Sequence, residues 1–109
     1  MQPKLILSEN FDKRPEGAEV KYAIIHSTEV DFQTSLRLLT VRHKNPVSAH
    51  YLIGRSGLIY QPVPDEDRAW HAGVSAWKND TSLNNTSIGI ELVRFSDHDF
   101  TTPQITSLT

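Results

Sequence analysis

The chain of 109 residues contains no cysteine. This absence excludes a disulfide framework and a metal site built on thiolates, although it leaves the cellular compartment open. An excess of positive charge is missing as well, because 11 Lys and Arg stand against 13 Asp and Glu and the formal net charge is −2. Nucleic-acid-binding domains rely on basic surfaces, so the composition disfavours that class of protein.

Long apolar stretches are also lacking. No segment approaches the roughly 18 apolar residues that a membrane-spanning helix needs. The N-terminal stretch has neither a long apolar core nor a small-residue cleavage pattern, so no secretory signal is evident. The 38% hydrophobic and 22% charged residues are typical of a globular rather than a disordered chain. We expect a single domain over residues 1–109, with a lead-in segment over residues 1–20.

An apolar run of aromatic and β-branched residues at 22–25, followed by His26, is the first strong structural signal. Such a run predicts a buried strand with the histidine at its carboxyl end. A helix is predicted over residues 31–40, with Asp31 or Thr34 as its cap. The apolar positions of this helix recur so that they form one core-facing stripe, which consists of Phe32, Leu36 and Leu39.

Three further strands are predicted downstream. Residues 47–53 and 58–63 flank a glycine-bounded link at 54–57, which is typical of a β-hairpin. Residues 87–95 form an apolar strand pattern that is interrupted by Glu91. A carboxylate in such a strand either pairs with an arginine or faces a site.

The segment between these strands, residues 65–85, shows little periodicity and holds Trp70, His71 and Trp77. Loops of this length inside a compact domain are uncommon and often functional. An exposed Trp suits stacking on a ligand. The alternative is that both Trp side chains close a small satellite core under the loop.

The C-terminal segment predicts the start of a second helix. Thr101 or Thr102 is placed to cap it, with Pro103 just inside. Because the chain ends at Thr109, before this helix has a body, we expect the chain to be a truncated piece of a larger domain.

Several polar side chains are expected to share one site. His26 ends one strand, and Glu91 lies on another. His50 and His71 fall on a hairpin and a loop that can reach the same face. A histidine ligand together with a carboxylate that accepts a proton is the minimum of a zinc hydrolase. The spacing alone is weak support, since no compact motif such as H-E-x-x-H occurs, and the alternative for His26 is a hydrogen-bonded histidine at a strand end.

Four segments occur in an order that is similar to one enzyme family: 25–28 (IHST), 47–53 (VSAHYLI), 68–73 (RAWHAG) and 85–92 (NTSIGIEL). They resemble the successive blocks of type-2 N-acetylmuramoyl-L-alanine amidases, the AmpD/AmiD group. This group is related to phage lysozyme-type amidases and peptidoglycan recognition proteins. The resemblance covers residues 22–95 and implies an α/β fold, with a central mixed β-sheet flanked by helices.

The resemblance also implies a function. The family cleaves the amide bond between N-acetylmuramic acid and the L-Ala of the peptidoglycan stem peptide, using one Zn²⁺ ion. By the resemblance, His26 matches the first zinc ligand and Glu91 matches the carboxylate that activates the attacking water. His50 matches a recurrent hairpin histidine, for which substrate contact and a structural hydrogen bond remain equally open. The positions that match the substrate groove are Trp70, His71 and Ala72.

The sequence departs from the family pattern near its C-terminus. The other two zinc ligands of the family, a histidine and then an aspartate or cysteine, lie in a later block together with a basic residue. Nothing after Glu91 supplies that block, because His98 and Asp99 come before the last predicted helix. We therefore expect tight zinc binding to fail in the chain by itself.

Two other interpretations compete with an amidase. The first is a catalytically inactive domain that binds peptidoglycan fragments. The second is a structural domain in which Glu91 and His26 are salt-bridged and buried with no open cleft. For the enzyme, intact murein in the bacterial periplasm and released anhydro-muropeptide in the cytosol are both open as substrates, and so is the oligomeric state. No nucleic-acid partner is expected.

Overall fold

The computed structural model describes residues 3–44, 46–71, 76–77, 80–95 and 98–109. The strands are β1 (Lys4–Leu5), β2 (Phe11–Lys13), β3 (Tyr22–Ser27), β4 (Tyr51–Ile53), β5 (Ile59–Gln61), β6 (Asp67–Ala69), β7 (Ala76–Trp77), β8 (Asp80–Thr81) and β9 (Ser87–Leu92). The helices are α1 (Phe32–Thr40), a 3-10 helix (Leu83–Thr86) and α2 (Thr102–Leu108).

Five strands form a central sheet in the order β1-β5-β4-β9-β3. β3, β9 and β4 are parallel neighbours, whereas β5 runs antiparallel to β4 as the predicted hairpin. The carboxyl ends of the three parallel strands therefore meet at one edge of the sheet. The α/β fold with a mixed sheet and flanking helices is confirmed.

α1 covers one face of this sheet. Asp31 is its cap, because the carboxylate accepts a hydrogen bond from the backbone N–H of Thr34 at 2.8 Å. The predicted apolar stripe packs inward, with Leu39 buried and Phe32 and Leu36 against the same cluster. The buried apolar residues of this core are Leu39, Ala49, Leu52 and Val93.

α2 begins with the capping arrangement that the sequence predicts. The side chains of Thr101 and Gln104 each accept a hydrogen bond from the backbone N–H of the other. Gln104 is fully buried, and its amide donates to the carbonyl oxygens of Ile53 and Val93. The helix thus satisfies backbone groups where two sheet strands end. No helix in the described ranges is long and apolar enough to cross a membrane.

β3 is not the buried strand that its apolar run predicts. It is an outer strand of the sheet, and its Ile25 is 50% exposed. On the face opposite α1, residues of α2 line a cavity of about 170 Å³ with side chains of β4, β5 and β9, including Ile53 and Ile59. β3 does not contribute to this cavity. The prediction was wrong because local hydrophobicity carries no information about a strand's position in the sheet.

The N-terminal segment contributes more structure than a lead-in. β1 pairs with β5, and β2 pairs antiparallel with β6 inside the region predicted as a loop. Asp12 and Arg68 are partners in this second pairing, and the guanidinium binds both carboxylate oxygens. The segment 65–85 is therefore anchored to the N-terminus by a charged cross-strand pair.

Gly57 allows the hairpin to pack beneath α2. Its φ is +91°, and a Cβ there would lie 2.8 Å from the carbonyl oxygen of Pro103. We expect Gly57→Ala to lower the free energy of unfolding by about 2–3 kcal/mol, because it adds both backbone strain and overlap. Urea unfolding measures this loss. Gly54→Ala is the matched control, since its Cβ would meet Phe32 at an ordinary 3.6 Å; equal losses in the two variants would contradict the explanation.

Candidate active site

The ends of β3 and β9 bring His26 and Glu91 together. The two residues are register partners in the parallel strand pair. Leu52 is the partner of Glu91 on the other side, and it belongs to the core beneath α1. Since partnered residues of adjacent strands point to the same face, His26 and Glu91 both lie on the α1 face. They sit near the carboxyl ends of parallel strands, where α/β sheets commonly bind ligands.

Glu91 is an acid without a partner for one of its oxygens. Its Oε2 is buried and makes no hydrogen bond to the described part of the chain. Burial raises the pKa of Glu91 to about 7. The side chain lines a cavity of about 120 Å³ with Ser27, Leu38 and Val47 among its neighbours. A carboxyl group with this pKa can accept and return a proton near neutral pH.

This environment argues against the purely structural interpretation. That hypothesis predicts a buried Glu91–His26 salt bridge with no cleft. Burial raises the pKa of Glu91, and no salt bridge joins it to His26 in the part of the chain that the structure describes. Glu91 instead lines an open cavity of about 120 Å³.

His71 lies between His26 and Ser87. Its Nδ1 is 3.3 Å from Nε2 of His26, and its Nε2 is 2.9 Å from Oγ of Ser87. The backbone N–H of His71 donates to Oδ1 of Asn84. Burial, with smaller effects of nearby histidines and Arg14, lowers the pKa of His71 to about 3, and burial also lowers the pKa of His26. Both rings are therefore neutral near pH 7, and in their contact one ring donates and the other accepts.

His50 is fully buried next to His71. Its Nε2 donates to the carbonyl oxygen of Asp67 at 2.8 Å, and its Nδ1 accepts from the backbone N–H of Gly89 at 3.0 Å. Because both ring nitrogens are used, the geometry favours the structural role over substrate contact; a part in substrate binding stays an untested prediction. The three neighbouring rings, which we call the histidine cluster, are His26, His50 and His71.

Trp70 has contacts of its own, apart from the histidine cluster. The indole Nε1 donates to Asp12 at 3.2 Å, and the guanidinium of Arg42 lies 5.4 Å from the ring centroid. Its backbone is hydrogen-bonded to Ser48 through both N–H and C=O. The part of Trp70 in a substrate groove stays a prediction. Ala72, the other predicted groove residue, lies outside the described residues.

Two residues that support the cluster were missed from the sequence. The half-buried Arg14 is one of them, and nothing beyond its place in a turn singled it out. Its guanidinium donates to the backbone carbonyls of Asp65, Asn84, Asn85 and Ser87. Gly89 is the other, and its signal was present, because a glycine inside a strand often marks a close approach of another group.

The described residues supply part of a metal site. Nε2 of His26 is engaged by His71, and its Nδ1 makes no hydrogen bond to the described part of the chain. A neutral imidazole with one nitrogen held and one open is a common metal ligand. Among the described residues, however, no group of three or more His, Cys, Asp and Glu side chains could hold a metal ion. His26 thus fits one position of a coordination set that these residues do not complete.

The pKa of Glu91 predicts how stability of the metal-free chain depends on pH. The group ionises near 4.5 when unfolded and near 7 when folded, so the folded state binds more protons between these values. Stability should therefore fall as pH rises from 4.5 to 7, by on the order of 3 kcal/mol. The lowered pKa of His71 acts oppositely, removing stability as pH falls below 6.5. Comparison with Glu91→Gln isolates the first effect.

Urea midpoints at pH 5 and pH 8 test this prediction. The parent should lose stability between the two relative to Glu91→Gln, which cannot ionise. An identical change in both chains would show that Glu91 is not buried as an acid.

Comparisons with known proteins also indicate an amidase. Residues 16–109 match the family model described as N-acetylmuramoyl-L-alanine amidase. The chain is 46% identical over 80 residues to N-acetylmuramoyl-L-alanine amidase AmiD of Escherichia coli, covering 67% of this chain and 28% of that protein. It is 36% identical over 120 residues to 1,6-anhydro-N-acetylmuramyl-L-alanine amidase AmpD of Haemophilus influenzae, covering 94% of this chain and 65% of that protein. The chain therefore spans less than two thirds of both relatives.

Solved structures share the fold. A selenomethionine AmpD derivative gives a TM-score of 0.87 at 32% identity, covering 97% of this chain and 69% of that one. The complex of E. coli AmiD with anhydro-N-acetylmuramic acid-L-Ala-D-gamma-Glu-L-Lys gives a TM-score of 0.75 at 37% identity, covering 88% and 43%. Because the family model matches residues 16–109, which are most of this chain, the chain belongs to the N-acetylmuramoyl-L-alanine amidase family.

Proposed function

We propose that this chain carries the catalytic face of a zinc-dependent amidase that cleaves the bond between N-acetylmuramic acid and L-Ala in peptidoglycan. The observation that carries the proposal is Glu91, the register partner of His26, whose carboxyl group has one buried oxygen without a hydrogen-bond partner among the described residues. Such an acid does not stabilise the fold, because burying a carboxyl group without a partner is unfavourable. A hydrolase, in contrast, needs a base with a pKa near the working pH.

Zn²⁺ is the proposed cofactor, with His26 as one of its ligands. When bound, zinc polarises the scissile carbonyl and makes water more acidic. His71 would hold Nε2 of His26 throughout, so that Nδ1 of His26 keeps its direction. The described residues do not complete the ligand set.

Glu91 is the proposed general base. Its carboxylate would take a proton from the attacking water and deliver it to the nitrogen of the departing L-Ala. Leu38 and Val47, which line the adjoining cavity, would contribute apolar surface beside this transfer. Trp70, His71 and Ala72 are proposed to line the groove for sugar and peptide.

The proposed substrate is a muramoyl-peptide. The complex of the related AmiD contains an anhydromuramoyl tripeptide, which supports binding of such fragments here. The preferred substrate bears on the cellular location of the protein. Released fragments belong to the bacterial cytosol, whereas intact murein belongs to the periplasm. A comparison of the rates on the two substrates tests this preference.

Zinc content and stem-peptide release, measured on the same purified sample, test the proposed function. About one zinc per chain together with cleavage of a muramoyl-peptide is the expected result for an active protein. Fragment binding without cleavage in a sample that holds zinc would contradict the proposed enzyme activity and leave a binding domain in its place.

A further inference from the structure

His71 lies directly over the backbone of β9 at Gly89. A Cβ built at residue 89 would overlap Cγ and Cδ2 of the His71 ring and would lie 2.9 Å from its Nδ1. Only glycine therefore lets this ring rest on the strand. Residue 89 is two positions from Glu91 on the same strand, so the ring lies on the face that carries the proposed base.

A buried hydroxyl on the same face holds the far end of the ring. Ser87 is fully buried, and its Oγ is 2.9 Å from Nε2 of His71. The near end, Nδ1, is 3.3 Å from Nε2 of His26. Ser87, His71 and His26 thus form a hydrogen-bonded row, which begins inside the sheet and ends at the site.

We propose that Ser87 and Gly89 are positioning residues for the amidase site. Together they form a seat, on which His71 is held so that its Nδ1 fixes the ring of His26. The inference rests on the proposed function only for what His26 does; the seat itself is a property of this strand. Neither residue touches the reacting atoms.

A seat of this kind matters because a half-buried histidine at a strand end can otherwise rotate about its χ angles. Outer partners that hold the second nitrogen of a functional histidine commonly change metal affinity or activity by about 10–100-fold when removed. Small misplacements of a catalytic group are costly in rate.

A double-mutant cycle tests the contact between residue 89 and His71. Gly89→Ala should lower the melting temperature of the parent chain by roughly 5–15 °C, because the new methyl group overlaps the ring. In a His71→Ala background, the same substitution should have little effect. If Gly89→Ala alone fails to fold, His71→Ala should restore folding. Equal losses in both backgrounds, or no rescue, would overturn the seat. Gly54→Ala is the control, since its Cβ meets only ordinary contacts.

NMR of the metal-free chain with ¹⁵N-labelled histidine tests the hydrogen-bonded row. Ser87→Ala should shift the ring nitrogen signals of both His71 and His26, whereas Ser107→Ala, whose hydroxyl binds Gly57, should leave them unchanged. Unshifted signals of His26 in Ser87→Ala would refute the row.

Kinetics then link the seat to the reaction. In an active protein, Ser87→Ala should lower kcat roughly tenfold with little change in KM, since orientation rather than substrate contact is lost. Unchanged kcat would refute the positioning role. If a parent protein that holds zinc shows no amidase activity but the cycle and the NMR shifts occur, the proposed function fails while the seat stands.

Discussion

In an enzyme with a complete set of zinc ligands, Glu91→Gln is expected to lower the turnover of muramoyl-peptide hydrolysis by about 10²–10⁴-fold and to leave the zinc content unchanged. Glutamine has nearly the same shape but cannot take a proton from water. The fold loses no hydrogen bond at Oε2, because that oxygen has no partner in the described structure. Initial rates at saturating substrate above pH 7, with zinc content and circular dichroism on the same sample, measure the effect.

The matched control is Glu66→Gln. It removes an equivalent charge from an exposed side chain that directly precedes β6. We expect its turnover to equal that of the parent. Turnover within a few-fold of the parent in Glu91→Gln would show that another group is the base.

His26→Ala should instead remove the metal. In the same complete enzyme, we expect zinc affinity to fall roughly a hundredfold or more, with hydrolysis lost in parallel, because an imidazole at the end of β3 would no longer hold the ion. Zinc titration by calorimetry, with hydrolysis followed on the same preparations, measures both quantities. The two variants distinguish the general base from the zinc ligand. Glu91→Gln should keep zinc but lose turnover, whereas His26→Ala should lose both zinc and turnover.

His43→Ala is the control for this variant. His43 is an exposed histidine in the segment after α1, outside the histidine cluster. Its replacement should leave zinc affinity unchanged. An unaltered zinc affinity in His26→Ala would exclude His26 as a ligand.

Local patterns were sufficient for most elements of the fold. The stripe on α1, the glycines of the hairpin and the cap at Thr101 act over a few residues, so their structural consequences follow from spacing alone. Pairing of β2 with β6 was not predictable in this way. It joins short segments that are far apart in the chain and have no apolar alternation, and a salt bridge stabilises it.

The chemistry of the site was visible in the sequence because it breaks local rules. Glu91 stands out as a carboxylate in an apolar strand, and His26 stands out as a polar residue that ends one. That these two are neighbours is a consequence of the parallel register of β3 and β9, which no local pattern encodes.

By itself, the sequence determined the elements, their order and the residue types that hydrolysis requires, because propensity, capping and motif order are properties of short segments. Only the tertiary structure decided which of those residues meet. Packing placed β3 at the outer side of the sheet, buried His50 with both nitrogens engaged and laid His71 on Gly89. These outcomes depend on contacts between distant segments, and the burial that they create is what raises the pKa of Glu91 toward neutrality.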